Sequence, residues 1–428
     1  MEKLYLKIKW IVLKLLEPYI GLPKEVYIIF LSRIVNAIGC FVGPFLTFIL
    51  TKKVGLSSDV AGIYMSAAGL LYMPASIIGG KLADTLGRRK VIIIFDTLSI
   101  IVYLICGFVQ PSMTMVYLIM LAGTFMSAGG PAHDSLMADL TTPENRNGAY
   151  ALAYMGWNLG FAVGPLLAGM LFENHLNLIF IGDALTAFLS LLLIIYFVRE
   201  TINDTKQDIS DKNRVMERSE SGSIISVLLR RPALIIFAIV IIGYNFTYAQ
   251  WGFMMPMYTG QKFGSMGAIY YGYMASFNGI VVIAFTPIIT WLMRKIKHIK
   301  KIVIGGILYS VGFGMLGVYN TLIAFFISVF IFTIGEIVLS VSTMPFIADN
   351  TPMSHRGRMS GVLGTMFGFG YIISPMVMGI VIKTTGIELG WIYLGIYVAI
   401  SASCMVFVER AIKRQKLQQQ EIIEVEEA

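Results

Sequence analysis

The sequence predicts an all-α integral membrane protein with twelve transmembrane helices in two pseudo-symmetric six-helix bundles. Three observations lead there. Hydrophobic residues make up 57% of the 428 and charged residues only 14%, whereas a soluble chain carries about 25% charged residues. The apolar residues gather in runs long enough to cross a bilayer, which takes about 20 of them in a helix. Part of the second half also repeats part of the first without a gap.

Apolar runs between charged or Gly/Pro-rich breaks place spans at 26–50, 59–82, 90–109, 113–139, 145–171 and 177–198. A second set falls at 232–259, 267–292, 301–318, 322–348, 356–382 and 389–408. An even number of spans puts both termini on one side, and the bases choose which. Of the 33 Lys and Arg residues, 28 lie in the amino-terminal segment, alternate loops, the long central loop and the tail. Only Lys52, Lys53, Lys262 and Lys383 fall opposite, and Arg33 lies within a span. The positive-inside bias therefore makes both termini and the central loop cytoplasmic, in a multi-pass protein of the cell (inner or plasma) membrane.

The divisions follow. Residues 1–25 carry Leu4, Ile8, Ile11 and Leu15 at helical spacing with lysines between them, which suits an amphipathic helix on the anionic cytoplasmic leaflet. Residues 26–198 and 232–408 are the two bundles, and 409–428 are a cytoplasmic tail. Between the bundles, 199–231 mixes seven bases with six acids plus Ser, Asn and Gly, the composition of a flexible linker. No A-x-A-like site follows the first apolar stretch, so no removable signal peptide is expected. Cys40, Cys106 and Cys404 all sit in apolar runs and offer neither a disulfide framework nor metal spacing. The net charge of +8 comes from loops between spans, which points to membrane orientation and not to nucleic acid.

The internal repeat has an offset of 210 residues. It aligns Ala138, Asp139, Thr141, Arg146, Gly160, Pro165 and Gly169 with Ala348, Asp349, Thr351, Arg356, Gly370, Pro375 and Gly379. Spans four and five thus correspond to spans ten and eleven. Parallel six-helix repeats of this kind build transporters whose halves rock about a midplane site.

Residues 79–90, GGKLADTLGRRK, join the second and third spans. Gly80 has no side chain to hold backbones apart, and Asp84, four residues on, shares its helix face. A carboxylate there is placed to accept N–H bonds at a helix amino terminus. Gly87 permits the positive φ of a reversing turn, and Arg88, Arg89 and Lys90 stay cytoplasmic to pair with acids on facing loops. Gly80, Asp84, Gly87, Arg88 and Arg89 fit the pattern G-x-L-A-D-x-x-G-R-R/K. That pattern resembles the loop between the second and third helices of the major facilitator superfamily, and the resemblance covers about residues 25–410. It implies a latch that holds the cytoplasmic side shut in the outward-open state, docking near Arg356-Gly357 at the start of helix eleven. The equivalent loop in the second half, TWLMRKIKHIKK, keeps the bases but lacks the Asp and both glycines, so the latch is one-sided.

Gly160, Gly164, Pro165 and Gly169 on helix five resemble the family's G-x-x-x-G-P-x-x-x-G motif, associated with antiporters. The same residues also serve plain close packing and a proline bend, and both readings stand. Helix four departs from the family in carrying no base before His133.

Ionisable groups inside spans are costly and mark functional sites. Glu336 lies near the middle of span ten with Ser340 and Thr343 on its face. There it suits a proton carrier or a counter-ion to cationic substrates. The run around it also looks like helix ten of bacterial multidrug-type and proton-peptide members of the family. Arg33, with Asn36 and Cys40 on its face, is expected to face the cavity and could pair with Glu336. Asp96, His133 and Asp134 near the cytoplasmic ends of helices three and four, and Asp183 on helix six, serve gating, packing or binding. Tyr244, Tyr248 and Trp251 form an aromatic stripe on helix seven beside Asn245 and Gln250, and Tyr154, Asn158 and Asn278 add polar patches.

No phosphate-binding loop, metal spacing or Ser/His/Asp set in a polar domain is present in the sequence. The expectation is therefore a monomeric transporter, not an enzyme, working on a small molecule with a proton gradient and no cofactor. The family resemblance implies drug:proton antiport of the twelve-helix type. A proton-coupled uptake symporter for a peptide, sugar or other metabolite is the alternative, and a non-transporting receptor on the same fold is a third.

Overall fold

A computed structural model describes residues 19–141, 145–202, 228–229, 232–293, 295–349 and 356–427. The predicted interfacial helix and most of the central linker lie outside these residues. Helices follow the predicted spans, with informative interruptions. The first span is two helices, α1 (Lys24–Ile38) and α2 (Val42–Phe48). Gly39, Cys40 and Phe41 break it, and the amides of Phe41 and Val42 donate to the buried Asp183 carboxylate at 3.2 and 3.0 Å. In hydrocarbon a broken helix needs such a partner, because water is absent and each unpaired N–H costs several kcal/mol.

Next come α3 (Ser58–Leu86), α4 (Arg88–Cys106) and α5 (Met113–Asp139). The fifth span divides into α6 (Arg146–Phe161) and α7 (Gly164–Phe172), just before Pro165, which has no N–H to continue the ladder. Asp183 belongs to α8 (Leu176–Phe197). The seventh span divides into α9 (Pro232–Tyr248) and α10 (Met254–Phe263). The rest are α11 (Gly267–Leu292), α12 (His298–Gly314), α13 (Leu322–Asp349), α14 (Arg356–Thr385) and α15 (Ile387–Glu427). Helix α15 continues unbroken through the expected tail.

Ten stretches of the described residues are long and apolar enough to cross a membrane. One of them, Pro232–Leu292, contains two of the expected spans. Helix α4 is too charged to qualify, since it carries Arg88, Arg89, Lys90 and Asp96.

The chain forms two compact units. The first comprises Met1–Ile49, Leu70–Ser210 and Ala268–Gly279; the second comprises Leu50–Gly69, Asp211–Gly267 and Ile280–Ala428. Helices α3 and α11 thus each contribute one end to either unit.

In the first unit α4 packs on α5, and α1 on α6 and α8. The Ser32 and Ser190 hydroxyls share a hydrogen bond of 2.7 Å between α1 and α8. Gly160 and Gly164 bring α6 and α7 against α1; a β-carbon on Gly160 would stand 2.5 Å from the Ile34 carbonyl oxygen. Phe45, Phe48, Phe172 and Tyr271 form an aromatic knot, with Phe48 and Phe172 centroids 5.3 Å apart. In the second unit α12 packs on α13 and α15. The Ser328 and Ser310 hydroxyls donate to the carbonyls of Gly312 and Gly395 at 2.6 and 2.8 Å. The Phe313 ring stacks on the buried Trp391.

Both units contain the same glycine crossing. In the second, a β-carbon on Gly62 would overlap the Pro375 carbonyl, and one on Gly379 would stand 2.5 Å from the Ser58 carbonyl oxygen. In the first, Gly272 meets the Pro165 carbonyl oxygen at 2.5 Å and Gly169 meets that of Ala268 at 2.8 Å on the same measure. The offset of 210 residues that relates the repeats turns each contact of one crossing into its counterpart in the other.

Gly62→Val and Gly272→Val are therefore expected to be matched lesions, each costing about 1–3 kcal/mol as overpacking. Gly364→Val, where a β-carbon meets nothing within 4 Å, stays within about 0.5 kcal/mol of the parent. Thermal denaturation of the purified protein checks all three. The same assay on Asp183→Ala should show a loss of about 1–3 kcal/mol for each amide left unpaired. Asp183→Asn keeps an acceptor oxygen and should lose less.

Candidate functional site

Three places concentrate polar chemistry: the loop between α3 and α4, a cavity in the first unit, and the surroundings of Glu336 in the second.

At the loop, Gly87 has φ +110°, a conformation that only glycine adopts without strain. The Glu200 carboxylate lies over it, where a β-carbon on Gly87 would stand 2.5 Å away. Glu200 accepts from the amides of Arg88 at 2.8 Å and Lys90 at 3.4 Å, which places an anion on the amino terminus of α4, where the helix dipole favours it. The Arg88 guanidinium pairs with Asp139 at 3.0 Å and donates to the Ala83 carbonyl at 2.7 Å. Asp139 also accepts from the Thr201 hydroxyl at 2.8 Å, and Arg89 donates to the Ile195 carbonyl. The loop is thus tied to the carboxyl-terminal ends of α5 and α8.

One expectation shifts here. The close approach of α3 falls on Gly79, where a β-carbon would overlap the Ala128 carbonyl, while Gly80 meets only Pro131 at an ordinary 3.5 Å. The Asp84 carboxylate is 70% exposed and stands 3.2 Å from Arg88, and the anion over the amino terminus of α4 is Glu200. The expected dock, Arg356 and Gly357, opens α14, but its side-chain placement lies outside the described residues.

The first unit has an open cavity of about 290 Å³ lined by Arg33, Asn36, Asp96, His133, Asp134 and Asp183, among others. Arg33 stands 3.8 Å from Asp134, and His133 Nε2 stands 3.0 Å from Asp96 Oδ2. The side chains of Arg33 and Asp134 are 33% and 73% exposed, those of His133 and Asp96 26% and 23%. The Arg33–Asp134 pair is thus the more exposed of the two. His133 and Asp134 are consecutive on α5, so the roughly 100° turn per residue sends one towards α4 and the other towards α1.

In the second unit Glu336 sits on α13, and the Tyr248 hydroxyl is hydrogen-bonded to it. Tyr309 and Tyr371 flank Tyr248, with ring centroids 5.7 and 6.3 Å away. The half-buried Glu336 thus stands beside a cluster of tyrosine rings. Tyr248 was one member of the expected stripe; the others serve packing. Tyr244 is buried and its hydroxyl donates to the Ile302 carbonyl at 3.3 Å, which makes it a strut between α9 and α12 and not a cavity wall. Trp251 packs on Phe332. Asn158 donates its amide to the Tyr154 carbonyl one turn back, at 2.9 Å, while the Tyr154 ring is exposed. Asn278 is buried in the first unit.

Sequence reasoning missed Glu200 and Asp139 as partners of the loop and the Asp183 cap. An amino-terminal turn rich in bases and a helix broken by glycine both call for a carboxylate, but its position along the chain follows only from packing.

A family model described as Major Facilitator Superfamily matches residues 28–335 and 300–425. The uncharacterized MFS-type transporter YttB of Bacillus subtilis is 24% identical over 92% of this chain and 98% of its own. A Na(+), Li(+), K(+)/H(+) antiporter of Planococcus maritimus is 22% identical over 82% and 87%. Multidrug resistance protein 2 of Bacillus subtilis is 23% identical over 83% and 88%. Among solved structures, a peptide transporter POT in complex with sulfate superposes with a TM-score of 0.73 over 93% of this chain and 96% of that one, at 16% identity. With its apolar helices, its repeat and its loop motif, the chain belongs to the major facilitator superfamily of membrane transporters.

Proposed function

We propose that this protein exports small amphipathic compounds in exchange for protons, by alternating access across the cell membrane, as a monomer with both termini in the cytoplasm. The observation that carries this reading is Glu336, a half-buried carboxylate hydrogen-bonded to Tyr248 between tyrosine rings. A carrier must alternate between charged and neutral forms, and a carboxylate removed from bulk water is poised for that. Charged, it attracts a cationic or polarised group, which the ring faces also favour; protonated, it releases that group.

The names of two relatives, a multidrug resistance protein and a monovalent cation/proton antiporter, lean the same way. So does the glycine–proline motif at Gly160, Gly164, Pro165 and Gly169. The proton gradient replaces any cofactor, and the tethered loop around Asp84 and Arg88 serves as the cytoplasmic latch, with Arg356 and Gly357 as its dock.

In proteoliposomes, Glu336→Gln should lower pH-driven transport at least tenfold while leaving the protein folded, as judged by its melting temperature. An unchanged rate would defeat the role of Glu336. Substrate-dependent alkalinisation outside intact cells would reverse the direction to uptake. The absence of any flux across a broad compound screen would favour the receptor reading.

A further inference from the structure

The two units finish one matching helix pair differently. In the first, the amino terminus of α4 is covered by Glu200, and Arg88 pairs with Asp139. The offset of 210 residues carries Arg88 to His298 at the start of α12 and Glu200 to Arg410 on α15, so a base stands where the first unit has its acid. The packing agrees. Gly317 meets Ile392 and Gly306 meets Ala402, and that antiparallel register, continued, sets Arg410 level with His298. Gly87 and Val91 become Lys297 and Lys301. Lys301 is only 7% exposed, and a buried ammonium without a counter-charge is costly. Among the described residues, none of Lys297, Lys300, Lys301, Arg410 and Arg414 has an acid within ion-pair distance. Glu409 adjoins Arg410 in sequence but lies about 100° round the helix from it. This end of the second unit is thus short of an anion that the first unit supplies from within.

A groove of about 570 Å³ leads to Arg410 along one face of α15, past Ile396, Ile400, Ser403 and Phe407. Ile396, Ile400 and Phe407 are each more than half exposed, and the Arg410 guanidinium lies 6.0 Å from the centre of the Phe407 ring. From Ile396 to Arg410 the helix rises about 21 Å, more than one leaflet's share of a hydrocarbon core about 30 Å thick. Arg410 stands at the end of the apolar stretch Ile387–Ala411, the depth at which headgroups begin. We propose that this face binds one anionic phospholipid, with its phosphate on Arg410 and the bases at the start of α12 and one acyl chain in the groove. The amino terminus of α12 adds its dipole, and basic pockets at this depth select charged headgroups. A free anion would satisfy the bases but leave the groove empty, and a neutral lipid would do the reverse. A charged lipid meets both. Neither the transported substrate nor its direction enters, and the proposed orientation decides only which leaflet supplies the lipid.

Native mass spectrometry of the purified full-length protein in detergent tests this, with dioleoylphosphatidylglycerol as the probe and dioleoylphosphatidylcholine as its neutral counterpart. One phosphatidylglycerol should bind at least tenfold more tightly than phosphatidylcholine. Arg410→Glu, which copies the acid of the first unit into the second, should lower that affinity at least tenfold and leave the weak binding of phosphatidylcholine unchanged. Ile400→Trp fills the groove from an exposed position and should lower the affinity at least threefold, with the melting temperature retained. Lys300→Gln, at an exposed site on the first turn of α12, should lower it at least twofold and serves should Arg410→Glu fail to fold. Arg199→Gln, at an exposed base of the first unit, should change nothing. Equal binding of the two lipids, or binding indifferent to Arg410→Glu or Ile400→Trp, would overturn the proposal. So would an equal loss in Arg199→Gln, or displacement of the lipid by inorganic phosphate at the same concentration.

Discussion

Hydrocarbon offers no hydrogen-bond partner and no hydrophobic drive between helices, so a membrane protein is assembled by close backbone approach and internal pairing. Here that constraint is met at two glycine crossings with the same geometry. Gly62 and Gly379 on one side, Gly272 and Gly169 on the other, bring a helix backbone onto the carbonyls of its neighbour. The crossings use the ends of α3 and α11, which is why each of those helices is shared between the two compact units. Where a helix breaks, the same constraint demands a substitute partner, and Asp183 supplies it at the start of α2.

Charge obeys the same rule. Four ionisable side chains within spans have a partner in their own unit: Arg33 with Asp134, His133 with Asp96, Asp183 with two amides, Glu336 with Tyr248. Removing one member would strand the other in a medium that solvates it poorly. The loop between α3 and α4 follows the same rule, with Glu200, Asp139 and the main-chain carbonyls of Ala83 and Ile195 holding its bases to one unit.

Much of this was legible in the chain, and the misses have a common cause. The loop motif marked Gly87 for a turn, and its positive φ is a local property. It misplaced the close contact by one residue, because which of Gly79 and Gly80 faces the neighbour depends on helix rotation. Nor did it name Glu200, more than a hundred residues later, as the anion over the start of α4. The aromatic stripe on helix seven divided in the same manner, with Tyr248 facing Glu336 while Tyr244 and Trp251 turned into the packing.

By itself the sequence determined the properties that depend on neighbours along the chain. These are the apolar run lengths that make helices, the charge bias that predicts orientation, the repeat at 210 residues and the turn at Gly87. It also named the costly residues, since an Arg or Glu in an apolar run is conspicuous wherever it points. Tertiary structure alone decided who meets whom: Arg33 with Asp134, Glu200 on α4, and the two glycine crossings as images of one another. The physical reason is that a helix repeats every 3.6 residues and can turn any of its faces towards a neighbour. Which face it turns is settled by packing against segments far away in sequence, and that information resides in no single stretch of the chain.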